Sequence, residues 1–204
     1  MLLADMRLIL ASASPRRREL LSGMGAEYEI LVPELDERKF IEQELLRRDI
    51  SPQEQTVLLA GQKALRALEE LDEKQDAVVL GVDTSVVVDD VILGKPKDED
   101  DAVEMLMMLS GRAHKVVSGF ALVSGDGRRI MDYEETAVFM RAFTEDEARR
   151  YVKSEYVLDK AGAYAIQGKA AMFVEKIDGC YFNVVGLPVF RVANSLSQFG
   201  IELI

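Results

Sequence analysis

Residues 8–20 read LILASASPRRREL. An apolar run passes through small residues into a proline and three arginines. "RLIL" (residues 7–10) has the continuous apolar character of a buried strand, and Pro15 suits the first turn of a helix that Gly23 or Gly25 would end. The stretch therefore predicts strand, tight turn and helix, the unit from which α/β sheets are built. The turn supplies backbone N–H groups, and Ser12 and Ser14 supply hydroxyls. The helix start carries a partial positive charge that favours anions and disfavours arginines. Something negative belongs at this turn. Arg16 and Arg17 have the fork geometry to hold phosphate oxygens, whereas Arg18 is read as solvent-facing. The alternative is a solvated basic face on an ordinary helix, and this stretch alone does not separate the two.

The rest of the chain makes that cluster conspicuous. Among 204 residues, 36 acidic side chains outnumber 25 basic ones, a net charge of −11. Such a field repels polyanions, so nucleic acid is not an expected partner. A hydrophobic content of 49% suffices for one core or two small lobes sharing a cleft. No domain boundary is evident, and residues 1–204 are read as a single domain. One cysteine, Cys180, leaves no internal disulfide, and neither a signal peptide nor a membrane-spanning apolar run is recognised, so a cytoplasmic protein without membrane contact is expected.

Periodicity and capping signals outline the remaining elements. "YEILV" reads as a second strand. Ser51-Pro52-Gln53-Glu54 has the form of a capping box opening a helix to about Leu71. "AVVLGVD" is a buried strand, and "SVVVDDVIL" reads as two strands around Asp89-Asp90. "DEDDAVEMLMMLSG" is an acid-started amphipathic helix ended by Gly111. "HKVVSGFALV" and "YEETAVFMRAF" pair across the turn signal "SGDG". Thr144 and Glu147 frame a second capping box for a helix to about Lys153. "AMFVEKI" and the shorter "FNVVG" read as strands, and "PVFRVANSLSQF" as a closing helix. Hairpins mixed with strand–helix units predict an α/β protein with a mixed sheet.

Candidate chemistry gathers at a few points. "LGVDTSV" places Asp83 and Thr84 at the end of an apolar strand, where α/β sheets present functional groups, although a lone aspartate there is commonly a turn or cap residue. "LGKPK" adds Lys95 beside Pro96. Asp36 and Glu37 add carboxylates after the second strand, either as the acidic start of a helix or as part of a Mg²⁺ site built with phosphate oxygens and water. With one histidine, His114, and one cysteine there is no two-histidine metal site or zinc cluster, and no "GxSxG" elbow supports a hydrolase triad. His114 is read as structural. Lys160 either reaches phosphate or pairs with Asp159 or Glu155. What remains is carboxylate and metal chemistry on a phosphorylated substrate.

Seven segments in order, "LASASPRRRELL", "LLAGQKA", "LGVDTSVVV", "LGKP", "MLMMLSGRAHKVVSG", "DKAGAYAIQG" and "YFNVVGLP", make the chain resemble the Maf family of nucleoside triphosphate pyrophosphatases. The resemblance implies an elongated mixed β-sheet flanked by helices, two lobes with a central cleft, related to the inosine triphosphate pyrophosphatases. It implies hydrolysis of a nucleoside triphosphate to the monophosphate and pyrophosphate with a divalent cation, Mg²⁺ or Mn²⁺. "KAGAYAIQG" is similar to the branch acting on dTTP and UTP, with a nucleotide-pool house-cleaning role linked to division arrest. By position, Asp83 matches the general base and shares a metal role with Glu37. Arg16, Thr84 and Gln167 match residues of substrate choice, while Ser12, Lys63 and Lys95 fall on active-site positions beside Ser14 and Arg17. A homodimer is implied as well. Val82 departs from the family's alanine before the aspartate, and Tyr156-Val157 from its usual loop. The alternatives are a purine or 7-methyl-GTP pyrophosphatase, and a non-catalytic nucleotide-sensing regulator of septum formation.

Overall fold

The computed structural model describes residues 6–203. Among them, seven strands form one mixed sheet in the order β2-β1-β3-β5-β6-β7, with β4 paired to β3. The strands are β1 (Arg7–Ala11), β2 (Glu29–Ile30), β3 (Ala77–Val88), β4 (Val91–Leu93), β5 (Ala113–Ser124), β6 (Arg129–Met140) and β7 (Val174–Asp178). The helices are α1 (Pro15–Gly23), α2 (Glu37–Leu45), α3 (Pro52–Glu70), α4 (Glu99–Leu109), α5 (Glu145–Ser154), α6 (Tyr181–Val185) and α7 (Val189–Ser197). The chain divides into two compact units, the first holding the described residues up to Asp83, Ser118–Glu134 and those from Gly186 on, the second Thr84–Val117 and Glu135–Val185.

In the first unit β1 runs parallel to both β2 and β3, its last pair with β3 being Ala11 and Gly81. Period-two alternation decides what covers each face. Leu8 and Leu10 of β1 and Val78, Leu80 and Val82 of β3 pack with Leu21 of α1 and with Val192 and Leu196 of α7. Ile9, Ala11, Ala77 and Val79 point the other way, against Ala60, Ala64 and Ala67 of α3. Small residues on α3 let the helix settle close to the sheet. Gly81 is where the approach is tightest: a Cβ there would stand 2.1 Å from the Ala60 carbonyl oxygen and 2.7 Å from the Ala64 nitrogen.

In the second unit β4 pairs antiparallel with β3 through Val86–Leu93 and Val88–Val91, and β6 pairs antiparallel with β7. Asp89 and Asp90 both adopt positive φ, the hairpin geometry their short polar side chains tolerate. Both expected capping boxes form, Ser51 with Glu54 and Thr144 with Glu147.

Three local readings are corrected. Residues 77–88 form one continuous strand, so Asp83 lies within β3 and not at a strand end. "AMFVEKI" begins as a 3-10 turn, Lys169–Phe173, and only then becomes β7. "FNVVG" is helical, within α6, where Asn183 is buried and donates to the Val116 carbonyl and the Thr136 hydroxyl. A buried amide with fixed partners overrides the β propensity of the two valines.

Candidate functional site

Asp83 belongs to the same alternating set of β3 as Ala77, Val79 and Gly81, the face that α3 covers. On α3, Lys63 lies one turn from Ala60 and beside Ala64, the two residues that close on Gly81. The close approach of helix and strand therefore brings the lysine to the aspartate. Nζ of Lys63 is 2.6 Å from Oδ1 of Asp83 and 3.0 Å from Oε1 of Glu37. The Lys63 and Asp83 side chains are each only 14% exposed, whereas that of Glu37 is 47% exposed. Asp36 caps α2 by accepting from the Lys39 backbone N–H, which sets Glu37 at its first position. Of the two readings for this acidic pair, Asp36 takes the structural one and Glu37 joins the ion cluster.

The three arginines part ways. Arg16 is partly buried and makes no side-chain hydrogen bond or ion pair among the described residues. Arg17 is directed inward: Nε donates to the Gly186 carbonyl at 3.0 Å, and Nη1 donates to the Ser12 hydroxyl at 3.0 Å and the Val82 carbonyl at 2.9 Å. Burial pushes its pKa down, an effect that nearby Asp83 opposes. Arg18 donates weakly to the Ala13 carbonyl at 3.4 Å. Ser12 is buried and its hydroxyl also accepts from the Ser14 backbone N–H at 3.3 Å, shaping the turn, while Ser14 is the N-cap of α1 without a side-chain cap bond. The sequence did not reveal that one arginine would be consumed by carbonyls from residues 82 and 186. Gly81, a glycine inside an apolar strand, was the available signal of close packing.

The second unit holds Thr84, Lys95 and Gln167. Thr84 follows Asp83 in β3, and Lys95 and Gln167 are exposed. The Gly94 carbonyl accepts from the Gly162 backbone N–H at 3.0 Å, so the "LGKP" loop is tied to the 3-10 turn that opens "AGAYAIQG". Gly162 needs its residue type: φ is +64° and a Cβ would stand 3.0 Å from Val86. The turn after Gln167 is fixed by Glu155, which accepts from the Lys169 backbone N–H at 2.7 Å. Lys160 pairs with Asp159 at 2.7 Å and donates to the Tyr156 carbonyl, the loop-shaping alternative. His114 is buried, with Nε2 2.7 Å from the Tyr164 hydroxyl, and burial lowers its pKa to about 4.

The Maf-like protein family matches residues 7–199. The chain belongs to the Maf family. Among its Maf relatives, the dTTP/UTP pyrophosphatase of Alkaliphilus oremlandii is 45% identical over 97% of this chain and 99% of its own length. That of Bacillus pumilus is 46% identical over 96% of this chain and 97% of its own, and that of Caldicellulosiruptor bescii 43% identical over 97% and 96%. A solved dITP/XTP pyrophosphatase from Mycobacterium abscessus shares 18% identity and a TM-score of 0.43 over 66% of this chain and 74% of that one, a likeness too partial to support a conclusion.

The carboxylates fit a hard divalent cation that completes its shell elsewhere. Among the described residues no group of three or more His, Cys, Asp or Glu side chains could hold a metal. Glu37 and Asp83 are two hard oxygen donors already sharing one cation, the Lys63 ammonium. That set suits Mg²⁺, which binds through one or two carboxylates and completes its octahedron with water and substrate phosphates. No helix of the described residues is long and apolar enough to cross a membrane.

Proposed function

We infer that this chain is a nucleoside triphosphate pyrophosphatase that hydrolyses dTTP and UTP to the monophosphate and pyrophosphate. The observation that carries this reading is the Lys63–Asp83–Glu37 cluster on the α3 face of β3, in a chain that matches Maf relatives over nearly its full length. Water attacks the α-phosphorus, the bond from that phosphorus to the bridging oxygen breaks, and pyrophosphate leaves with that oxygen. Asp83 accepts the proton of the attacking water. Arg16, with no competing side-chain partner among the described residues, takes phosphate oxygens at the start of α1, where the helix dipole also favours them. Ser12 and Ser14 shape the turn that receives those oxygens. Lys63 shares its charge between the carboxylates and the phosphate chain, and Lys95 is assigned to phosphate binding. A divalent cation held by Glu37 and Asp83 would supply charge neutralisation and a more acidic water.

Thr84 and Gln167 are assigned to substrate choice. The Gln167 amide offers one acceptor and two donors, a match for a uracil or thymine edge that mixes carbonyls with an N–H. Residence in the cytoplasm, assembly as a homodimer and a role in clearing nucleotides follow the resemblance and rest on it alone. A panel of nucleoside triphosphates, assayed with and without Mg²⁺ or Mn²⁺, tests the reading. One pyrophosphate per monophosphate, fastest from dTTP and UTP, is the expected result. Orthophosphate as the direct product, or a preference for purine nucleotides, overturns it.

A further inference from the structure

We propose that Arg17 is a positioning residue: it fixes the Asp83 carboxylate by locking the Val82 peptide to the β1–α1 turn and to the chain at Gly186. This rests on the reading of Asp83 as the general base, and it gives Arg17 a different task from the phosphate contact expected of the arginine cluster.

The reason lies in where the sheet ladder stops. The parallel pairing of β1 with β3 ends at Ala11 and Gly81. Ser12 follows the end of β1 and Val82 is the next residue of β3, and Arg17 Nη1 donates to both, to the Ser12 hydroxyl at 3.0 Å and the Val82 carbonyl at 2.9 Å. The guanidinium thus continues the strand-to-strand link one step past the ladder. Its Nε, donating to Gly186 at 3.0 Å, adds a third segment, the one that leads into α7. Gly186 has a φ of 125°, so its carbonyl is presented from a backbone conformation that side-chain-bearing residues rarely adopt.

The Val82 carbonyl carbon is bonded to the Asp83 nitrogen, so fixing that peptide fixes the direction in which the Asp83 side chain leaves β3. A planar fork with several donors does this, and a single ammonium cannot span the same acceptors. Bringing a guanidinium out of water is costly unless it is hydrogen-bonded, and Nε and Nη1 both find acceptors here. Spending these donors on two carbonyls and a hydroxyl from three segments leaves Arg16, which has no side-chain partner among the described residues, for the substrate.

Arg17→Met and Arg17→Lys separate positioning from phosphate binding. Lysine keeps the charge and loses the fork. In both variants kcat for dTTP is expected to fall roughly 10- to 100-fold, the penalty for a reacting group misplaced by about an ångström, with KM within about threefold of wild type. Arg17→Ala is expected to regain turnover when guanidinium ion is added at millimolar concentration. A KM raised tenfold or more at unchanged kcat, rescued by lysine, overturns the proposal in favour of direct phosphate contact. Unchanged kcat and KM in a folded variant overturn it as well. Hydrogen exchange supplies a readout independent of turnover: faster exchange at residues 12–14 and 82–84 in Arg17→Lys supports the tie, and unchanged exchange there overturns it. Wild-type protein that releases no pyrophosphate from dTTP or UTP defeats the functional reading instead, and the exchange result then decides the tie by itself.

Discussion

The Lys63 ammonium lies 2.6 Å from the Asp83 carboxylate, with both side chains only 14% exposed. Lys63 thus neutralises the aspartate in the folded protein while also pairing with Glu37 at 3.0 Å.

Asp83→Asn removes the proton acceptor while keeping the shape of the side chain. Turnover is expected to fall on the order of 10²- to 10⁴-fold, the usual contribution of a positioned base. Melting temperature should stay within a few degrees of wild type. Steady-state pyrophosphate release measures the first and calorimetry the second; an asparagine enzyme at full speed would remove Asp83 from the chemistry.

Lys63→Met leaves Asp83 with a poorly solvated charge and without its ion-pair partner. Breaking a fully buried pair costs about 3–5 kcal/mol, and the residual exposure here brings the expected loss to about 1–3 kcal/mol. Urea unfolding in the presence of chelator reports it. Combining Lys63→Met with Asp83→Asn should recover much of that loss, and strict additivity of the two single effects would mean that the pair is not coupled.

Gly81→Ala introduces a methyl group 2.1 Å from the Ala60 carbonyl oxygen, a backbone atom of α3 that cannot rotate away. The helix must retreat, at a cost of about 1–3 kcal/mol. Lys63 retreats with it. Lower stability and lower kcat are expected together, so a destabilised variant with unchanged kcat would show that the packing at Gly81 does not set the catalytic geometry.

His114 makes stability depend on pH. Its pKa is about 4 in the folded protein against 6.5 unfolded, because burial disfavours the charged ring. Below pH 6.5 the unfolded chain binds a proton that the folded protein refuses, so stability falls as pH drops from 6.5 towards 4 and levels off below. The full effect is on the order of 3 kcal/mol. Denaturant midpoints between pH 4 and 7, compared for wild type and His114→Gln, test this. An equal slope in both proteins would assign the pH dependence to other groups.

Gln167→Ala should narrow the gap between pyrimidine and purine triphosphates, read as the ratio of their kcat/KM values. Losing one of two hydrogen bonds to a base edge is worth roughly tenfold in that ratio. The same order of preference with the same spacing would show that Gln167 does not choose the base.

By itself the sequence determined what is local. Caps at Ser51 and Thr144, the Asp89-Asp90 hairpin, the strand–turn–helix of residues 7–23 and the apolar run of a buried strand at residues 77–83 all depend on neighbours a few residues away, and all are legible. The matched motifs extended this to naming Asp83 and Lys63 as candidate site residues. Tertiary structure decided what those residues touch. Asn183 turned an apolar "FNVV" into a helix because its buried amide had partners on β5 and β6. Arg16 and Arg17 are the same residue type one position apart, yet one has no side-chain partner among the described residues and the other is spent on carbonyls from residues 82 and 186. Successive positions on a helix point about 100° apart, and only the packed neighbours say which direction is the interior.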